Sequence, residues 1–253
     1  MPPADAAPLV LVTRPLPDGQ ATAEVLRARG YRILLDPMLE IVLKPEPLDL
    51  AGVQALLVTS ANGARALAAA TDTRSLPLFA VGEASADTAG QAGFSDIHAG
   101  SGDVGGLAEL VRAKLDPAAG ALLHAAGSHI AGDLAGDLER GGYGVRRAVL
   151  YEARAATRLS EATRTGLAAG TIAAALFYSP RSAKRFVTLA DESGFGETMA
   201  RLIAICLSDA VADALSPPGA LPGAPIRLAG IHVAAQPEQA ALLEILDAVL
   251  TDV

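Results

Sequence analysis

The chain has 253 residues, 51% of them apolar, with 20 basic against 28 acidic side chains and a net charge of −8. That is material for one large or two modest domains, and the acidic balance excludes a general nucleic-acid binder. No apolar run approaches the ~18 residues of a membrane-spanning helix, and a single cysteine, Cys206, excludes an internal disulfide.

The first segment, "MPPADAAPLVLVTRP", has no basic lead and only a short apolar patch, so it is not expected to act as a secretion signal. With one cysteine and no Cys/His metal pattern, the cytoplasm is the expected location. "LVLVT" (9–13) reads as a strand, followed by a helix ending near "RARG" and a second strand "YRILL" (31–35). "ALLVTS" (55–60) leads into "ANGARALAAA", "LPLFAVG" (76–82) into "EASADTAGQAG", and "ALLHAAG" (121–127) into "SHIAGDLAGDLERGG". Later strands are "IAAALFYS" (172–179), "RLIAICLS" (201–208) and "IHVAA" (231–235), each followed by a helical pattern; "LLEILDAVLTDV" reads as the closing helix. Strand and helix signals alternate throughout, and the strands are continuous apolar runs. The expectation is α/β, with parallel sheets covered by helices on both faces.

Three pairs of segments repeat. "VTSANGARAL" matches "FYSPRSAKRF" at a shift of about 119 residues, "AVGEASADTA" matches "CLSDAVADAL" at about 126, and "LRARGY" matches "LERGGY" in the opposite order within its half. This order predicts two similar domains. One is discontinuous, residues 1–36 plus 154–253; the other, residues 41–147, is inserted into it. Segments 36–45 and 145–155, both β-prone, are the expected crossings, either as a two-stranded hinge ladder or as ordinary edge strands.

In open α/β sheets ligands bind beyond the carboxyl ends of the strands. This chain repeatedly puts small polar residues there: Thr13-Arg14, Thr59-Ser60, Gly82-Glu83, Gly127-Ser128, Ser179-Pro180 and Ser208-Asp209. Singly, each is a helix cap worth ~1 kcal/mol. As a row facing a common cleft they would be anion sites built mainly from backbone N–H groups. Arg14 follows a strand directly, and Arg181 sits in a first helical turn, where a cation opposes the dipole; an anionic ligand would account for both. Lys184 and Arg185 read as a solvated helix face. "GSGDVG" (100–105) has the G-x-G-x-x-G form, but the polar segment before it and the lack of an acidic residue after the next strand argue against a dinucleotide site. Asp103 there is expected to cap a helix. His98, His124, His129 and His232 are too scattered for a metal set, and Cys206 reads as a small core residue.

In order and spacing, "VLVTRP", "LLVTSANGARAL", "LFAVGEASADTAGQAGF", "VRRAVLYEA" and "ALFYSPRSAKRF" resemble the uroporphyrinogen-III synthase family over nearly the whole chain. The resemblance implies two α/β domains of similar fold joined by a two-stranded ladder, with the substrate hydroxymethylbilane in the cleft between them and no metal or organic cofactor. It implies a cyclising lyase of tetrapyrrole and heme biosynthesis; a monomer is expected, and charge and composition speak against nucleic acid or membrane as partner. Tyr151, in "VLYEA", matches the tyrosine proposed to assist loss of the substrate hydroxyl. The implied substrate-binding set is Arg14, Thr59, Ser60, Asn62, Ser85, Gly127, Ser128, Ser179, Arg181 and Ser208. One departure stands out: Ser208-Asp209-Ala210-Val211 replaces a run in which the family often has glycine and threonines. The alternative from another class is a cytoplasmic two-domain protein that binds a small anion without chemistry.

Overall fold

The structure, a computed structural model, describes residues 7–44, 46–129, 132–215 and 227–251. Parts of the segments anticipated above lie outside the described residues: the first six residues, Pro45 in the first crossing, Ile130-Ala131 after "ALLHAAG", and the last two residues of the closing helix.

The chain divides into two compact units, Met1–Glu40 with Arg154–Val253, and Ile41–Ala153. The first holds β1 (Leu9–Val12), α1 (Asp18–Ala28), β2 (Arg32–Leu35), α6 (Glu161–Ala169), β9 (Ile172–Phe177), α7 (Pro180–Glu192), β10 (Ile203–Cys206), α8 (Asp209–Leu215), β11 (Gly230–Val233) and α9 (Gln239–Thr251). Its five strands lie in the order β11-β10-β9-β1-β2 and pair in parallel. The second unit contains β4 (Val53–Val58), α2 (Ala61–Ala70), β5 (Leu78–Ala80), α3 (Glu83–Gln91), β6 (Ile97–Ala99), α4 (Val104–Lys114), β7 (Ala121–Gly127), α5 (Leu134–Arg140) and most of β8 (Val145–Ala155). With β3 (Leu39–Leu43) at one edge, its sheet runs β3-β8-β7-β4-β5-β6, and the pairs from β8 to β6 are parallel.

The two sheets share one plan. When β9, β10, β11, β1 and β2 are matched with β4, β5, β6, β7 and β8, the spatial orders become identical. The first unit is thus a circularly permuted counterpart of the second, which is why the repeat "LERGGY" (α5 into β8) answers "LRARGY" (α1 into β2) out of sequence order. In both sheets the order reverses between a repeat-opening strand and its neighbour, at β9/β1 and at β4/β7. These are the switch points beside which α/β proteins place ligands.

Strict alternation along doubly covered strands supplies four apolar clusters, two per unit. In β9, Ala174 and Leu176 face one cluster while Ala175 and Phe177 face the other. In β4, Leu56 and Val58 face one, and Ala55 and Leu57 the other. α7 lays Ala183, Phe186, Leu189 and Ala190 against the sheet, the spacing of one helical face. Phe186 is fully buried, with its ring centroid 5.3 Å from that of Phe177. On the same helix Lys184 is exposed, but Arg185 departs from the anticipated solvated face: it is half-buried and donates from Nε to the Ala156 carbonyl at 2.6 Å. The backbone acceptor fixes its charged head. Cys206 is buried in β10, and burial raises its thiol pKa to about 12. Removing the aromatic wedge tests the packing of this unit: Phe186→Ala is expected to cost about 3–5 kcal/mol, read as a lower urea midpoint at unchanged slope; a loss below 1 kcal/mol contradicts it.

Candidate active site

Each strand-to-helix corner forms for a local reason. Ser60, in extended backbone after β4, accepts the Gly63 N–H at 3.0 Å and starts α2. Ser179 does the same for α7 through Ser182 N–H at 3.2 Å, with Pro180 in the first turn, where its missing N–H costs nothing. Asp103 caps α4 through Gly106 N–H at 2.8 Å, as anticipated.

The second unit has a hollow of about 480 Å³ at its switch point. Thr59, Ser60, Val81, Gly127 and Tyr151 line it, with Gly102, Asp103, Val104, His129 and Gly132. A larger hollow, about 660 Å³, lies beside α3, β6 and α4, away from the switch-point corners, and holds none of the anticipated residues. The smaller one is the site of interest because its walls are strand ends and helix starts.

Tyr151 enters it through an irregularity in β8. Ala126 pairs with Val149 but Gly127 pairs with Tyr151, so one extra residue, Leu150, sits in the ladder. A regular pleat would send Leu150 and Tyr151 to opposite faces; here both pack against the cluster under α2 and α3. The bulge lays the phenol across Gly127. A Cβ on residue 127 would lie 2.8 Å from ring carbons of Tyr151, closer than carbon atoms approach, so the ring keeps this seat only over glycine. The Tyr151 hydroxyl shares a hydrogen bond of 3.0 Å with Ser60 Oγ. Ser128 N–H donates to the Tyr151 carbonyl at 2.9 Å, and Arg147 donates from Nη2 to the Gly127 carbonyl at 2.7 Å, closing the seat from the far side.

Thr59 Oγ1 lies 3.4 Å from Nε2 of His124 on β7. His124 is buried, and burial, with Arg147 nearby, lowers its pKa to about 4, so it is neutral at pH 7. A neutral imidazole beside Thr59 adds no charge there. Asp103 and His129 also line it, and His129 Nδ1 is 3.1 Å from Ser128 Oγ.

Of the anticipated residues, the hollow gathers Thr59, Ser60, Gly127 and Tyr151. Asn62, Ser85 and Ser128 belong to the same unit without lining it. Asn62 accepts from Arg65 at 3.0 Å, and Ser85 is buried in the first turn of α3. Arg14, Ser179, Arg181 and Ser208 belong to the other unit. There the Arg14 guanidinium stacks 4.5 Å above the Tyr178 ring, donates to Gln239 at 3.1 Å and meets Asp18 at 3.6 Å. Burial raises the Tyr178 pKa. Ser208 starts α8 by accepting Val211 and Ala212 N–H groups with its carbonyl. Sequence reasoning missed the wall made by Gly102, Asp103 and Val104. "GSGDVG" was its signal, a glycine-rich loop in which backbone approaches a neighbour closely.

The sequence model of one family, described as uroporphyrinogen-III synthase HemD, matches residues 20–220. The chain belongs to the HemD uroporphyrinogen-III synthase family. Two solved structures share the fold. The uroporphyrinogen-III synthetase of Helicobacter pylori is 20% identical with a TM-score of 0.62, covering 96% of this chain and 99% of that one. A mutant uroporphyrinogen III synthase of Thermus thermophilus is 17% identical with a TM-score of 0.55, covering 98% and 100%. No curated protein matches the chain significantly.

The low pKa of His124 has a measurable consequence. Between pH 6.5 and 4 the unfolded chain binds a proton that the folded HemD-family chain refuses, so stability falls as the pH falls through that window. In His124→Gln this contribution is absent. The stability gap between wild type and variant is expected to narrow by roughly 2 kcal/mol from pH 7 to pH 5, measured by urea unfolding; a gap independent of pH contradicts the assignment.

Proposed function

We propose that the hollow beside Tyr151 is where this family's reaction takes place in this chain. Family membership makes the chain a cyclising lyase of porphyrin and heme biosynthesis with hydroxymethylbilane as substrate. The observation that carries the assignment to this hollow is the seating of Tyr151, which the β8 bulge, bare Gly127 and capped Ser60 hold over a switch point.

The substrate is a flexible chain of four pyrroles bearing acetates and propionates. Its terminal hydroxymethyl carbon loses hydroxide because the pyrrole nitrogen stabilises the azafulvene left behind. The substituted carbon of the last ring then attacks, and a spiro intermediate fragments and recloses with that ring inverted. In this reading Tyr151 protonates the departing hydroxyl, and Thr59, Ser60 and the Gly127-Ser128 corner hold the reacting end of the bilane. Exposed N–H groups at helix starts take its carboxylates without adding positive charge, which reconciles a polyanionic ligand with a net charge of −8. Holding the productive conformer lowers the barrier by several kcal/mol, up to ~7–11 in favourable cases, so the site needs no paired acid and base.

The finer architecture belongs to the same proposal. The division of the chain falls after Glu40 and after Ala153, within β3 and β8, which are neighbours in the six-stranded sheet. This supports reading segments 36–45 and 145–155 as a two-stranded ladder, with residues 1–36 plus 154–253 and 41–147 as the domains. Arg14, Asn62, Ser85, Ser179, Arg181 and Ser208 stand as proposed contacts for the outer carboxylates. Among the described residues no helix is long and apolar enough to cross a membrane. A cytoplasmic monomer working on a small molecule is part of the same proposal. Binding without chemistry is not favoured, since the family model spans most of the chain.

Incubation with hydroxymethylbilane, followed by oxidation and separation of the porphyrin isomers, tests the proposal. Wild type is expected to give type III in excess, and Tyr151→Phe to turn over about 10²–10⁴-fold more slowly with an unchanged circular dichroism spectrum. The type I mixture of a protein-free control refutes the activity; wild-type turnover by Tyr151→Phe removes the tyrosine from the chemistry.

A further inference from the structure

Three serines cap helices by accepting the N–H of the residue three positions on: Ser60 for α2, Ser160 for α6 and Ser179 for α7. The cap uses the serine oxygen as an acceptor and leaves its own proton to be placed. Ser179 donates that proton to Ser182 Oγ at 3.0 Å, and Ser160 donates to Thr163 Oγ1 at 3.0 Å. In both, the residue three positions on supplies the acceptor. At α2 that position is Gly63, which has no side chain; the repeat aligns it with Ser182. A Cβ on Gly63 would lie 3.0 Å from the Ala125 carbonyl, so the tight seat of α2 on β7 favours glycine there. The partner that remains for the Ser60 hydroxyl is Tyr151 Oη at 3.0 Å.

We infer that Ser60 is a positioning residue that donates its proton to Tyr151 Oη and stabilises the tyrosinate formed when Tyr151 acts as the acid. This rests on the proposed function of the hollow and adds a role for its second hydroxyl. The step balances. The C–O bond of the hydroxymethyl group breaks with its electron pair on oxygen, the Tyr151 proton joins that oxygen, and water leaves. The pyrrole becomes an azafulvenium cation and Tyr151 a tyrosinate. After ring closure the pyrrole carbon that made the attack gives up a proton, which returns to Tyr151. While the tyrosinate exists, Ser60 O–H points at its oxygen and the Gly63 N–H polarises Ser60 from behind. Both lie at the start of α2, where the helix dipole favours negative charge. The permuted half of the molecule lacks this device because Ser182 takes the corresponding proton. One glycine-for-serine difference thus leaves a cap hydroxyl available to the tyrosine in only one repeat.

The readout is the ionisation of Tyr151, followed by the Cζ resonance of labelled tyrosine and assigned by its loss in Tyr151→Phe. In Ser60→Ala the Tyr151 pKa is expected to rise by about one to two pH units, and kcat to fall roughly ten- to a hundredfold with KM little changed. Ser60→Thr restores both. Ser60→Asp keeps α2 capped but replaces the donor with an acceptor-only anion; it raises the Tyr151 pKa further and secures the test if Ser60→Ala folds poorly. Ser160→Ala removes an equivalent cap elsewhere and leaves the titration of Tyr151 unmoved. A Tyr151 pKa in Ser60→Ala and Ser60→Asp equal to that of wild type overturns the inference. Type III product from wild type is scored separately, so the activity and this role can fail independently.

Discussion

The arrangement depends on one close approach: the Tyr151 ring lying flush on Gly127, with its hydroxyl on the serine that starts α2. Everything around it serves that contact. The bulge at Leu150 turns the phenol to the α2 face, Arg147 holds the Gly127 carbonyl, and Ser128 N–H holds the carbonyl of Tyr151. A phenol fixed at both ends of its reach is preorganised, and preorganised groups act on a transition state without first being ordered. Acid–base pairs and metals are one way to build such a centre; here a bulge, a bare glycine and a cap do it.

The two units illustrate how a repeated fold can take different roles at equivalent places. Both present a serine-capped helix at a switch point, and both carry a tyrosine there. In the first unit Tyr178 lies beneath Arg14 and is tied to Gln239. In the second, Gly63 and Gly127 allow close approach, of α2 to the Ala125 carbonyl and of the Tyr151 ring to β7, and the tyrosine comes from β8 and lines a hollow. The neutral His124 beside Thr59 adds no charge, and the hydroxyls of Thr59, Ser60 and Tyr151 share the lining of the second corner with Asp103 and His129.

Much of the fold was legible in the sequence because the signals were local and periodic. Continuous apolar runs marked the strands, and the opposite order of "LRARGY" and "LERGGY" pointed to the permutation, which depends on nothing beyond chain order. The strand-end polar residues were legible as caps for the same reason. What the sequence did not carry was geometry set by register. No residue type announces the bulge at Leu150, so Tyr151 was assigned through a resemblance rather than through its position over Gly127. The wall at Gly102–Val104 was hidden because a glycine-rich loop says that backbone approaches something closely, without saying what. Arg185 looked solvated on helical spacing alone, since the Ala156 carbonyl it binds lies 29 residues away in sequence.

The most direct measurement of the central claim is the crystal structure and turnover of Gly127→Ala. The added methyl group is predicted to lift the Tyr151 ring, separate its hydroxyl from Ser60 and slow cyclisation at least tenfold, a change of about 1.4 kcal/mol in the barrier, while the sheet stays intact. A variant that keeps the tyrosine displaced yet turns over hydroxymethylbilane at the wild-type rate would contradict the account.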